Sequence, residues 1–68
     1  MSVVKVIEVI GRSTTSSDDA VKSALSEASR SLRNIKGLDV VSVGLRGDNL
    51  DEWGAHVRIS FLVENVTD

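Results

Sequence analysis

Apolar residues follow two rhythms along the chain. Residues 3 to 10, VVKVIEVI, are dense in Val and Ile and stop at Gly11. A β-branched run bounded by glycine predicts a strand. Val3, Ile7 and Val9 fall on one parity and Val4, Val6 and Ile10 on the other, so both faces of this strand are expected to be buried. The rhythm then changes. Ala20, Val21, Ala24, Leu25, Ala28 and Leu32 recur at helical spacing as one narrow stripe, which predicts a helix over about residues 17 to 35. Ser16 is placed to cap it, with Asp19 three residues on. Asp18 and Asp19 sit at the positive end of the helix dipole, and Arg30, Arg33 and Lys36 at the negative end. Gly37 then reads as the residue that stops the helix, because glycine takes a positive φ without a Cβ clash.

The period of two returns in LDVVSVGLR, residues 38 to 46, and in WGAHVRISFLVE, residues 53 to 64. In the first, Leu38 and Val40 share one parity, while Val41, Val43 and Leu45 share the other. In the second, Val57, Ile59, Phe61 and Val63 alternate with His56, Arg58, Ser60 and Glu64. Between them GDNLDE, residues 47 to 52, is a turn rich in Gly, Asp and Asn. So short a connection makes an antiparallel hairpin. The expected order is β-α-β-β, an α+β fold in a single domain over residues 1 to 68.

One helix covers one face of a three-stranded sheet and leaves the other in water. Apolar strips on both faces therefore mark an interface. At roughly 25 cal/mol per Å², leaving them open would cost several kcal/mol. A chain of 68 residues is also too small to rest on one core without help from disulfides, metals or oligomerisation. It has no Cys and one His, which removes disulfides, thiolate zinc sites and multi-His sites within one chain. A homo-oligomer is the remaining expectation. The net charge of −2 gives no drive toward nucleic acid or anionic membrane. The opening MSVVKVIEVIG is broken by Lys5 and Glu8 and does not read as a signal peptide, so a cytoplasmic protein is expected.

At this point the chain resembles the dodecin family, from Val3 to about Glu64. The resemblance rests on the β-α-β-β order at this length and on four pieces in sequence: KVIEVIGRS, with Gly-x-Ser after the first strand; the Ala-aliphatic pairs of SSDDAVKSALSEASRSLRNI; its closing Asn-aliphatic; and the finish VRISFLVE around a Phe. It implies a helix lying across a strongly curved sheet, and subunits assembled into a hollow homododecamer. It also implies a non-enzymatic role in storing or sequestering flavins. In the family, flavin rings stack against a Trp and meet a Gln at the pyrimidine edge. Here the Trp position holds Gly37 and the Gln position holds Gly54. The pocket implied for this chain is therefore altered and weaker, built from Trp53, backbone at Gly37 and Gly54, and Arg46. The flavin that the resemblance implies is riboflavin or FMN.

Several other residues admit both a chemical role and a simpler one. Trp53, the one Trp, either replaces the lost stacking group or fills an interface. His56 either titrates, or binds a metal across a symmetry axis, or faces solvent or a lumen. Arg46 and Arg58 offer planar donor forks to a phosphate, or are ordinary surface charge, or pair between subunits with Asp39 or Glu64. Asp48, Asn49, Asp51 and Glu52 make an oxygen-rich turn, but Leu50 stands where an EF-hand loop needs a ligand. The alternative function is thus a dodecin-type shell that does not use flavin and instead binds a divalent cation or serves as a scaffold. No nucleophile and base can be paired from one His, so no enzyme is expected.

Overall fold

The computed structural model describes residues 3–63. Four elements follow in the expected order: β1, Val3–Ser13; α1, Ser17–Ser29; β2, Ile35–Arg46; and β3, Glu52–Val63. The last position of the expected third strand, Glu64, lies outside the described residues. All pairing is antiparallel and the spatial order is β1-β3-β2, so β3 is the central strand.

The helix begins as its sequence implies. Ser16 is extended, and its Oγ accepts from the Asp19 N–H at 3.0 Å. It ends earlier than residue 35, however, and Gly37 does not stop it. Arg30 is the C-cap, the Leu32 N–H still reaches the Ala28 carbonyl at 2.9 Å, and Asn34 takes the left-handed conformation with φ 59°. Asn tolerates that region better than most residues. By Ile35 the chain is already in β2, opposite Phe61, and Gly37 pairs with Ser60 inside the strand. The ladder to β3 captures the residues that helical spacing assigned to the last turn. Leu32 still packs on the core, from beyond the helix rather than within it.

The core is small: Ala20, Ala24 and Ala28 of α1 against Ala55, Val57 and Ile59 of β3. Alanines at every fourth position let the helix approach the sheet closely. Ile7 and Val9 of β1, and Leu38 of β2, pack at its margin. Val4, Val6 and Ile10, on the opposite parity of β1, remain more than half exposed, so the expected burial of both faces is not met within the single chain: α1 covers only the face of Ile7 and Val9.

In β2 the two-faced reading does not hold. A bulge between Val40 and Ser42 makes Val41 the extra residue. Leu38, Val40, Val43 and Leu45 then lie opposite Ile59, Val57, Ala55 and Trp53, all on the helix side of the sheet. An inserted residue reverses the alternation beyond it, which is why strict counting placed Val43 and Leu45 on the other face.

Candidate functional site

Polar chemistry gathers on the face of the sheet that α1 does not touch. β3 sends Glu52, Gly54, His56, Arg58 and Ser60 to it, and the register sets each beside its neighbours. At one end, Arg12, Gly54 and Gly44 form a row across the three strands. Two facing glycines leave a flat strip of bare backbone. Arg46 folds back over it: a Cβ on Gly54 would lie 2.8 Å from Arg46 Cγ, and one on Gly44 would lie 2.6 Å from Arg46 Nη1. The guanidinium donates to its own Leu45 carbonyl at 3.2 Å. Across the row, Arg12 is held by Glu52, Nη2 to Oε1 at 2.6 Å.

The next rows hold a second cluster. His56 Nε2 donates to Glu8 Oε1 at 2.6 Å, and Arg58 Nε lies 3.4 Å from Glu8 Oε2. The imidazole hydrogen bond, reinforced by the nearby Arg58, holds the Glu8 carboxyl below its ordinary value. Within the chain Arg58 pairs with Glu8 on β1, while Asp39 is its register partner on β2. The expected partner Glu64 lies outside the described residues.

Of the four residues singled out for a flavin pocket, the structure brings two together, Arg46 and Gly54. Gly37 is on the same face but lies opposite Ser60, six residues along β3 from Gly54, or roughly 20 Å at the rise of a strand. Trp53 points to the other side, where it packs against the core beside α1. Gly44 and Arg12 were not anticipated. The signal for Gly44 was its two-residue spacing from Arg46 in GLRG, which puts both on one face; Arg12 depends on the register of β1 with β3.

The oxygen-rich turn also has a definite shape. Gly47 has φ 93° and Leu50 φ 54°, and the Leu50 N–H bonds the Gly47 carbonyl at 3.1 Å. Glu52 is committed to Arg12. Among the described residues no three His, Cys, Asp or Glu side chains are grouped to hold a metal ion within one chain. Asp18 and Asp19 are part of the helix start: Asp19 accepts from Ser13 Oγ at 2.7 Å. No helix among the described residues is long and apolar enough to cross a membrane.

This arrangement of strands and helix is found at full length in solved structures. The tt0972 protein from Thermus thermophilus superposes with a TM-score of 0.86 at 25% identity, covering 97% of this chain and 100% of its own. A dodecin from Streptomyces coelicolor gives 0.84 at 30% identity, covering 94% of each. A calcium dodecin from Mycobacterium tuberculosis, described as having a novel calcium-binding site, gives 0.81 at 26% identity, covering 97% of each. Among curated proteins no relative matches. The family model named Dodecin matches residues 3–64. With that match spanning nearly every residue, and the same β-α-β-β subunit in solved dodecins, this chain belongs to the dodecin family.

Proposed function

We propose that this protein is a non-enzymatic, dodecin-type homododecamer that holds a flavin, riboflavin or FMN, in an altered and weaker pocket. The observation that carries the reading is the Arg46 side chain spread across the Gly44–Gly54 strip. A guanidinium is planar and stacks on aromatic faces. Lying over bare backbone, it can offer a stacking partner to a planar ring where the chain has no aromatic side chain. Its remaining N–H groups can donate to a carbonyl or phosphate oxygen at the rim of the ring system. The fit is that of a shallow bed rather than a clamp, since one guanidinium supplies one face only.

Gly37 and Trp53 reach such a ligand only if a neighbouring subunit brings them to it. Their separation within one chain adds to the missing stacking and hydrogen-bonding side chains as a reason to propose a weaker pocket. Storage or sequestration needs binding and release and no chemical step, and the protein's part is to orient the ring and shield one face. Titrating the purified protein with riboflavin and with FMN tests this. Flavin fluorescence should be quenched on binding, and Arg46→Ala should weaken the quenching. Fluorescence that stays unchanged at high protein concentration would sink the flavin reading.

A second reading has one specific observation in its favour, the calcium dodecin among the similar structures. In this reading the shell takes a divalent cation in place of flavin. Asp48 and Asp51 in the turn are its candidate ligands, multiplied by symmetry in the assembled shell. Calorimetric titration with Ca²⁺ separates the two, since heat of binding is expected only here.

A further inference from the structure

At the turn end of the sheet one carboxylate stands between two guanidiniums. Arg12 of β1, Gly54 of β3 and Gly44 of β2 share one row, and Glu52 and Arg46 are partners in the next row toward the turn. Direct partners point to the same face, so Arg12, Glu52 and Arg46 all stand on the face away from α1. Glu52 goes diagonally to Arg12 and not to Arg46, its own register partner, which donates to the Leu45 carbonyl. The grip on Arg12 decides what Arg12 has left to offer. Its Nε at 2.8 Å and its Nη2 at 2.6 Å both reach the same oxygen, Glu52 Oε1. The guanidinium is thus held from its side. Its end, a parallel pair of N–H groups from Nη1 and Nη2, stays open, and the Arg12 side chain is 67% exposed against 21% for Glu52. Such a fork fits two oxygens of a phosphate.

We infer that Arg12, positioned by Glu52, is a specificity-determining residue of the Gly44–Gly54 strip, and that it selects a planar ligand carrying a phosphate over the same ring without one. This rests on the flavin reading above and chooses between its two ligands, in favour of FMN. The row is two strand spacings wide, roughly 10 Å. A ring bedded at Arg46 on the β2 side carries its phosphate on a flexible ribityl chain, which spans the row toward β1. Arg12, Arg46 and Glu52 together hold one formal positive charge, so a phosphate dianion is attracted while Glu52 stays in place. Arg58 is the other arginine of β3 on this face, but it lies two rows further along the strand and is engaged by Glu8. An ion pair as exposed as Arg12–Glu52 adds little to stability. Its effect is to keep a long side chain in one pose, which lowers the ordering cost when a ligand arrives.

Paired titrations with riboflavin and FMN, read by quenching of flavin fluorescence, test this. The readout is the ratio of the two dissociation constants, which a general loosening of the strip would not move. In the unaltered protein FMN should bind at least about tenfold tighter, the size of one charge-assisted contact. Arg12→Ala should bring the ratio close to one. Arg12→Lys, which keeps the charge but not the fork, should lose most of the preference. Glu52→Ala should also lower it, since the guanidinium is no longer held in one pose. Equal affinities in the unaltered protein, or a ratio that survives Arg12→Ala, would overturn the inference. An undiminished preference in Arg12→Lys would overturn the role of the fork. A ratio that rises in Glu52→Ala would make Glu52 a competitor of the phosphate and overturn its positioning role. The two levels separate cleanly. If neither flavin binds, the flavin reading and this inference fail together, whereas binding that does not distinguish the two flavins sinks only the role of Arg12.

Discussion

Gly11 and Ala20 meet backbone to backbone. A Cβ built on Gly11 would run into the Ala20 carbonyl and would lie 2.8 Å from the Ala24 Cβ. This is where α1 rests on β1, and the absent side chain sets how closely the helix sits. Gly11→Ala is therefore expected to destabilise the fold by about 1–3 kcal/mol, since the neighbours it meets are main chain and a Cβ, none of which can rotate aside. Urea unfolding with an unchanged slope and a lowered midpoint is the expected result. A midpoint equal to that of the unaltered protein would refute the close contact.

Ser13 organises the turn into the helix. Its Oγ donates to Asp19 and accepts from the Thr15 N–H at 2.9 Å, while the residue itself is 8% exposed. Ser13→Ala leaves both partners unpaired in a partly buried place and should cost about 1–3 kcal/mol. Ser16→Ala removes a more exposed cap and should cost about 1 kcal/mol. Thermal melts of both variants should show Ser13→Ala as the more damaging change. The reverse ranking would mean that the cap, and not the Ser13 network, holds this junction.

Acid should weaken the Glu8 cluster. The folded-state pKa of Glu8 is lowered, chiefly by the His56 hydrogen bond, from an ordinary value of 4.5. A carboxyl with a lowered folded pKa adds stability above its unfolded pKa and loses it as the pH falls through the folded value. The melting temperature of the unaltered protein should therefore exceed that of Glu8→Gln near neutrality. The difference should fade as the pH drops below 4.5. A constant difference between the two melting curves across that range would show that Glu8 acts by shape alone.

Gly37 offers a gain of function. Its φ is not in the left-handed region, and a Cβ there would meet only Ser60 Oγ, at 2.9 Å. A hydroxyl can rotate away, so a side chain is tolerated. Under the flavin reading, Gly37→Trp restores a stacking partner, and aromatic stacking contributes about 0.5–1.5 kcal/mol beyond area burial. FMN affinity should rise by up to about tenfold. If Gly37→Trp folds and assembles but binds FMN no better, position 37 does not face the ligand.

The elements were legible because each rests on local chemistry. The Val and Ile run of β1, the alanine stripe of α1, the Ser16 cap and the Gly-Asp-Asn turn each act within a few residues. Helical spacing carried the helix too far, since Leu32 keeps its place in the core without being helical. Gly37 suits the role of a helix stop in isolation, since glycine takes a positive φ freely. Asn34 performs the turn instead, because pairing of Ile35 with Phe61 has already begun. In the candidate site, the presence of Arg46, Gly54, Gly37 and Trp53 was legible, but their grouping was not.

Sequence alone therefore determined the order of elements and the family. These depend on residue identity and on periodicities of two and near four. The tertiary structure decided which residues meet. A bulge at Val41 reverses the alternation of β2, and the register of three strands sets Arg46 over Gly44 and Gly54 while leaving Gly37 far along the same face. Register is fixed by burial and hydrogen bonding across strands distant in the chain, and one inserted residue changes the face of every residue beyond it. For that reason the pattern of apolar positions pointed to a second copy of the chain, while the face on which Val43 and Leu45 lie emerged only from the fold.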